Sequence, residues 1–193
     1  MEGKNNTFKE YVAPVLVLSI ICLVITLALA VTNSVTAPVI EANDKATADA
    51  NRIALLADAD AFTEYTGELV EAEKAHVKDV FTADNGAGIV ITVVTKSFGG
   101  DLTEMIGIDA EGAITGVVVT NHADTAGLGT KAHDPEYLKQ YVGVSELQTY
   151  AAKDESKLGT GITYVSGASI SSNGVHYGIK VALDQAAKVG GAK

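Results

Sequence analysis

The chain has 193 residues, a formal net charge of −10 and a single cysteine. This length allows one globular domain together with a membrane anchor. Because Cys22 is alone, a disulfide framework, a cysteine-based zinc site and an iron–sulfur cluster are excluded, so redox chemistry would need an organic cofactor or an unusual metal site. The acidic charge disfavours binding to nucleic acid and to anionic lipid headgroups.

An apolar run near the N-terminus predicts a transmembrane helix at residues 11–32. No charged residue occurs from Tyr11 to Ile40, and about 20 apolar residues suffice to cross a bilayer as a helix. A cleaved signal peptide is the alternative, because residues 28–30 read Ala-Leu-Ala, which resembles a cleavage site. The run is longer than the apolar region of a signal peptide, so we predict a retained anchor.

The short segment before the apolar run predicts the orientation of the chain in the membrane. Residues 1–10 contain Lys4 and Lys9, and lysines flanking a membrane helix favour the cytoplasmic side. We therefore expect a cytoplasmic N-terminus and a domain that lies in the periplasm or outside the cell.

The part of the chain after the anchor divides into a helical spacer, residues 33–75, and a domain, residues 76–193. The alanine-rich stretch from Val39 to about Phe62 has the composition of a helix. Residues 63–75 are acidic and weakly patterned, which indicates helix ends and loop.

Apolar, β-branched runs then predict an antiparallel sheet within an α+β fold. A three-residue connection at residues 110–112 favours a hairpin between the second and third of these strands. Gly107 and Gly116 lie inside strand patterns, where glycine marks a bulge, a close approach or the relief of crowding. The predicted strands are Ala87–Thr95, Leu102–Asp109, Ala113–Asn121 and a short final strand, Ile162–Val165.

Two helices flank the predicted sheet. Asp134 can cap a helix that has Pro135 at its first position and ends at Gly143. A second helix is predicted over Val175–Val189 from its apolar periodicity. Its apolar face comprises Val175, Ile179, Ala182 and Leu183.

The hydroxyl-rich stretch at residues 166–174 (SGASISSNG) lies between the last predicted strand and this helix. The free N–H groups and the positive dipole at the start of a helix favour an anion such as phosphate. The alternative is that Ser171, Ser172 or Asn173 simply caps the helix. No motif supplies a base that would make one of these serines the nucleophile of a catalytic triad. The four histidines are scattered and show no paired spacing of metal ligands.

Residues 166–171 (SGASIS) resemble the flavinylation motif of the FMN-binding domain family. That motif consists of Ser or Asp, Gly, Ala, Ser or Thr, any residue, and then Thr or Ser. In the family the last hydroxyl is joined to the FMN phosphate as a phosphoester, and this position is Ser171 here. Ser171 stands where the family usually has threonine, and Ser169 and Ser172 are the fallback acceptors.

Upstream segments carry the same resemblance. Residues 95–100 (TKSFGG), 106–117 and 122–129 (HADTAGLG) match the family core in order and spacing. In the last of these loops, Asp124 and Ala126 stand where the family usually has glutamate and proline. The resemblance covers roughly residues 90–185 and implies a cofactor site made from the motif and this loop. Its members would be Ser171, Ser166, Gly167, Ala168, Ser169, Thr125, Gly127, Leu128, Gly129 and Lys131.

One anchor, a spacer and one such domain resemble the G-subunit family of Rnf electron-transport complexes. This resemblance implies covalent FMN, partner subunits of an Rnf complex, and a flavin transferase for maturation. It also implies electron transfer between ferredoxin and NAD, coupled to movement of Na⁺ or H⁺. The alternative family is the C-type subunits of the Na⁺-translocating NADH:quinone reductases. A membrane-anchored scaffold without flavin and a flavin-binding sensor remain competing hypotheses.

Overall fold

The computed structural model describes residues 11–147 and 161–190. Contacts divide the chain into two units, Met1–Ala48 and Asp49–Lys193. From Ala13 onward, the first unit consists of a long helix, α1 (Ala13–Leu55), that is apolar and exposed along its N-terminal part. Within the described residues, α1 is the helix long and apolar enough to span a membrane, with a mean hydropathy of 3.0 in its most apolar window.

Threonine hydroxyls in α1 donate hydrogen bonds to backbone carbonyls of the same helix. The Thr26 hydroxyl donates to the Cys22 carbonyl at 2.7 Å, and the Thr32 hydroxyl donates to the Ala28 carbonyl at 2.9 Å. Such bonds remove the cost of placing a hydroxyl in hydrocarbon. The helix is therefore compatible with a membrane along its apolar part.

The second unit contains a five-stranded sheet in which every neighbouring pair is antiparallel. The strands follow one another in chain order, so each connection is local. This confirms the α+β class and the hairpin predicted at residues 110–112. The strands are β1 (Phe62–Glu64), β2 (Ala75–Ala83), β3 (Gly88–Ser97), β4 (Gly100–Asp109) and β5 (Ile114–Asn121).

One face of the sheet packs against the C-terminal helix. After β5, a 3₁₀ turn (Gly129–His133), the short helix α2 (Pro135–Leu138) and a second 3₁₀ turn (Lys139–Tyr141) lead to α3 (Ser169–Val189). The predicted apolar face of this last helix is confirmed, because its four members are all buried in the main core. Asp134 caps α2 as expected, accepting from the Glu136 N–H at 2.9 Å.

The other face of the sheet holds the end of α1. Leu55 and Leu56 form a second buried cluster with residues of β2, β3 and β4. A Cβ added to Gly107 would lie 2.7 Å from the Leu55 carbonyl oxygen, and one added to Gly116 would lie 2.9 Å from Leu55 Cδ2. The two strand glycines therefore admit this helix end, and the ladder also shifts register at Gly107.

Three expectations about the segments before β3 were wrong. The helix expected to reach Phe62 ends at Leu55, because Leu55 and Leu56 turn into the sheet and Asp60 accepts the Ala61 N–H at 2.7 Å. Phe62 instead begins strand β1. Strand β2 was missed, because a bulge between Val77 and Asp79 interrupts its alternation.

Two expectations about the C-terminal segment were also wrong. Residues 162–165 form no strand, because their N–H groups bond to side chains: Thr163 donates to Gln140 and Val165 donates to Ser172. Helix α3 begins at Ser169 rather than Val175 and incorporates most of the hydroxyl-rich stretch. Its boundary residue is Ala168, so none of the three residues considered as caps has that role.

The core contains one carboxyl group without a hydrogen-bond partner among the described residues. Glu104 in β4 is fully buried, and neither of its carboxyl oxygens is bonded. Its side chain points at α3, where a Cβ on Gly178 would lie 1.8 Å from Glu104 Oε1. Burial raises the pKa of Glu104 well above its ordinary value.

This burial predicts a stabilising substitution. A carboxyl whose pKa is raised in the folded state is most favourable below its unfolded pKa and loses stability as the pH rises. We expect Glu104→Gln to raise the free energy of unfolding by about 2 kcal/mol at pH 7 and to change it little at pH 4. Denaturant unfolding of the chain in mild detergent, followed by circular dichroism, measures both values.

The exposed Glu111 provides the control. Glu111→Gln should leave the free energy of unfolding unchanged at both pH values, because its carboxylate is solvated in both states. An equal effect of Glu104→Gln at pH 4 and pH 7 would contradict the prediction, since the gain arises from ionisation.

Candidate functional site

A cleft of about 250 Å³ lies where the start of α3 meets the β3–β4 turn and the loop after β5. Its lining combines large apolar side chains with two serine hydroxyls and small residues. It is lined by Phe98, Thr125, Leu128, Gly129, Gly167, Ala168, Ser169, Ile170 and Ser171.

Seven of the ten residues predicted from the sequence lie around this cleft. The other three, Ser166, Gly127 and Lys131, do not line it. Lys131 is exposed on the 3₁₀ turn after the loop. The loop and the motif, separated by about forty residues of chain, are thus brought to one place by the packing of α3.

The start of α3 is suited to an anion. The boundary residue Ala168 makes no side-chain cap hydrogen bond, and the first N–H groups of a helix have no partner within it. Gly167, which precedes the boundary, has a φ of +81°, a conformation that other residues adopt only with strain. A phosphate at this point would meet free N–H groups and the positive end of the helix dipole.

The three candidate serines have different environments. The Ser172 hydroxyl is fully buried and accepts a hydrogen bond from the Val165 N–H at 2.9 Å, so it holds the preceding loop. Ser169 lies on the exposed side of the first turn. Ser171 lines the cleft and is itself buried, and it lies beside Asp124 where both side chains pack against Gly129.

Asp124 is the centre of a hydrogen-bond network beneath the cleft. Its carboxylate accepts from the Ser97 hydroxyl and from the Gly99 N–H, the latter at 2.6 Å. These donors tie the β3–β4 turn to the loop after β5. Ser171, at the start of α3, lies beside the same carboxylate. Gly129 allows the close packing, because a Cβ there would lie 2.8 Å from Ser171 Oγ and 2.9 Å from Asp124 Cβ.

The charge states of this network follow from burial and hydrogen bonding. Burial raises the pKa of Asp124, but donation from Ser97, Gly99 and Ser171 outweighs it, so the pKa lies below its ordinary value. His133 Nε2 lies 3.1 Å from Asp124 Oδ2. Burial, and then the neighbouring His122, lower the pKa of His133. Near pH 7 the pair therefore consists of a carboxylate and a neutral imidazole.

Sequence reasoning missed four contributors to this region. Phe98 and Ile170 line the cleft, and Asp124 and His133 lie beneath it. Phe98 follows β3 in a two-residue turn, a position from which a large apolar side chain projects into solvent. The available signal in the sequence was a large apolar residue in a turn. Such a residue gains nothing from folding when it is exposed, which points to a ligand surface. The hydrogen-bond network around Asp124 depends on contacts between segments that are far apart in the chain, and the sequence does not reveal such contacts.

The residues present fit an FMN group. A flavin needs an apolar surface for its ring system and hydrogen-bond donors for its phosphate. The apolar side chains of the cleft can supply the surface, and the start of α3 can supply the donors. Because Gly129 and Gly167 carry no Cβ, the backbone can lie close to the ligand. No group of histidine, cysteine or carboxylate side chains suited to a metal occurs in the described ranges.

Comparison with known proteins gives a family match and similar full-length chains. Residues 97–184 match the model of the FMN-binding domain family. The chain is 30% identical over 182 residues to the G subunit of the Na⁺-translocating ferredoxin:NAD⁺ oxidoreductase complex of Acetobacterium woodii, covering 87% of each chain. It is 25% identical over 179 residues to the G subunit of the proton-translocating complex of Clostridium ljungdahlii, covering 91% of each.

A more limited similarity extends to the alternative family. The chain is 27% identical over 124 residues to the C-type subunit of the Na⁺-translocating NADH-quinone reductase of Pasteurella multocida. That match covers 58% of this chain and 48% of the relative. The similarity to the two G subunits extends over nearly the whole chain, which favours the G-subunit interpretation.

Proposed function

This chain belongs to the G-subunit family of the ion-translocating ferredoxin:NAD⁺ oxidoreductase (Rnf) complexes, and from that premise we propose that it carries electrons on an FMN joined to Ser171. In this proposal the protein is a redox relay within the complex and has no substrate of its own. Its partners are the other subunits of that complex. Electron transfer between ferredoxin and NAD would be coupled there to movement of Na⁺ or H⁺.

The observation that carries the proposal is the group of exposed apolar side chains at the cleft that Ser171 also lines. Phe98, Ile170 and Leu128 are 67%, 59% and 46% exposed, although all three line the cleft. Exposed apolar residues grouped at a cleft indicate a ligand surface. Ser171 and the free N–H groups of α3 lie at the same cleft. An aromatic ligand that ends in a phosphate matches both features.

Each part of the site has a defined task in this proposal. The bound flavin would supply the electron-transfer chemistry, and the protein supplies position and electrostatics. Phe98, Leu128 and Ile170 would flank the ring system and exclude water from it. The start of α3 would neutralise the phosphate. A covalent bond to Ser171 would prevent dissociation of an anionic cofactor from an acidic protein.

We propose that α1 is a retained membrane anchor. The helix continues through Ala28-Leu29-Ala30 without a break, which supports retention because a cleavage site requires accessible chain. Lys4 and Lys9 support a cytoplasmic N-terminus. The domain would then lie in the periplasm or outside the cell, where a flavin transferase must reach Ser171.

Flavin fluorescence in a denaturing gel tests the covalent bond. We expect membranes from the native host to give a fluorescent band at the chain mass of 19.9 kDa after denaturation in SDS. Peptide mass mapping of that band should place the modification in the segment that contains Ser171. A dark band from cells with active flavin transferase would contradict the proposal and favour a membrane-anchored scaffold.

A further inference from the structure

We infer that Asp124, supported by His133, is the positioning residue that accepts the proton of Ser171 when the flavin phosphate is attached. This inference rests on the proposed function, because it assigns a role to a neighbour of the proposed acceptor. It concerns the formation of the phosphoester bond and not the later electron transfer.

The geometry places a proton acceptor beside the nucleophile. A Cβ on Gly129 would lie 2.8 Å from Ser171 Oγ and 3.1 Å from Asp124 Cγ, so the hydroxyl and the carboxylate are neighbours. Asp124 is held from other sides by Ser97 and the Gly99 N–H. A donated hydroxyl proton fixes the direction of the oxygen lone pairs, and Ser171 lines the cleft in which the phosphate would arrive. Of the three candidate serines, Ser171 is the one that lies beside this carboxylate against Gly129.

The negative charge of Asp124 supports a role for this carboxylate before the flavin phosphate is bound to Ser171. A carboxylate next to a bound phosphate is electrostatically unfavourable, since two negative charges repel each other in a partly buried site. The same carboxylate is favourable beside a hydroxyl that must lose a proton. Uptake of that proton would also remove the negative charge from Asp124 as the phosphate is bound.

The bonding changes balance when the donor is a flavin nucleotide whose FMN phosphate is part of a phosphoanhydride. The Ser171 oxygen forms a bond to the FMN phosphorus, and the phosphoanhydride bond breaks. The leaving phosphate keeps the bonding electron pair. The Ser171 proton passes to Asp124, whose Oδ2 lies 3.1 Å from His133 Nε2.

The lowered pKa of Asp124 is compatible with this role. Phosphoryl transfer proceeds through a loose transition state in which the nucleophile forms little bond, and an ionised aspartate accepts the hydroxyl proton in protein kinases. The carboxylate therefore has to be ionised and correctly placed before the reaction, and strong basicity is not required. The hydrogen bonds from Ser97 and Gly99 keep it ionised.

The attachment rate of the full chain tests this role. Purified chain in mild detergent is mixed with the host's flavin transferase and its flavin nucleotide donor, and in-gel fluorescence is followed with time. We expect Asp124→Asn to lower the maximal rate about 100-fold or more, the size of a general-base contribution. The concentration of chain that gives half-maximal rate should stay unchanged, because docking to the transferase is not altered.

Two further variants separate positioning from folding. Asp124→Glu retains a carboxylate and should recover the rate to within about tenfold of the unsubstituted chain. Thermal unfolding is measured on every variant. If Asp124→Asn is unfolded at the assay temperature, His133→Gln decides, because it removes the imidazole next to Asp124 and leaves the carboxylate in place. It should lower the maximal rate about tenfold.

The outcomes distinguish this inference from the proposed function. A folded Asp124→Asn variant with an unchanged rate, or an unchanged rate for the His133→Gln variant used in its place, overturns the inference and leaves Ser171 as the acceptor. Equal losses in Asp124→Asn and Asp124→Glu also overturn it, because they indicate a structural role. Persistence of fluorescence in Ser171→Ala would instead overturn the proposed function.

Discussion

Ser171→Ala is expected to abolish covalent flavin completely. Alanine offers no oxygen for a phosphoester bond, and the hydroxyls of Ser169 and Ser172 do not take the position of the Ser171 hydroxyl. Ser172 is turned toward the Val165 N–H and is fully buried. Ser169 also lines the cleft, but it is exposed, whereas Ser171 is buried beside Asp124. In-gel flavin fluorescence of SDS-denatured membranes measures the loss.

Single alanine substitutions of the two neighbouring serines are the matched controls. We expect Ser169→Ala to keep full fluorescence. Ser172→Ala should also keep it, but at a cost of about 1 kcal/mol in the free energy of unfolding, because the Val165 N–H loses its acceptor. Fluorescence that survives Ser171→Ala and disappears in Ser169→Ala or Ser172→Ala would move the acceptor to that serine.

The elements that the sequence predicted well are those whose contacts are local. The β4–β5 hairpin follows from two apolar runs joined by a short turn, and the register places Gly107 opposite Gly116. The apolar face of α3 follows from helical periodicity. In each case neighbouring residues along the chain contain the signal, so no knowledge of the tertiary structure was needed.

The errors arose where distant segments determine the local structure. Strand β2 carries Lys78 and Asp79 at a bulge, and its pairing with β1 and β3 outweighs its weak alternation. The start of α3 was placed too late, because serines and a glycine are poor helix formers and only packing on the sheet makes them helical. Local propensity could not have revealed either outcome.

For the candidate site as well, the sequence predicted some residues and missed others. The motif and the loop residues came from the resemblance, and the structure brings most of them to one cleft. The contact of Asp124 with Ser97 and Ser171 joins residues from three separate segments. A carboxylate in a loop is usually solvated, so sequence alone offered no reason to place Asp124 beneath the cleft.

Gly99→Ala is expected to lower the free energy of unfolding by about 3 kcal/mol, near the upper end for an overpacked site. A Cβ at Gly99 would lie 2.1 Å from the Ala123 carbonyl oxygen and 2.6 Å from the Asp124 N atom. These are backbone atoms, which cannot move aside as a flexible side chain can. The β3–β4 turn must therefore separate from the loop, and the bond from the Gly99 N–H to Asp124 is lost.

Because that bond holds Asp124 under Ser171, Gly99→Ala should also reduce flavin attachment. Denaturant unfolding in mild detergent and in-gel fluorescence measure the two effects. Gly86→Ala is the control: its φ of +75° makes alanine strained, but no atom lies within 4 Å of the added Cβ. We expect it to cost about 1 kcal/mol with unchanged fluorescence. If Gly99→Ala costs no more than Gly86→Ala, the close packing of turn on loop does not stabilise the site.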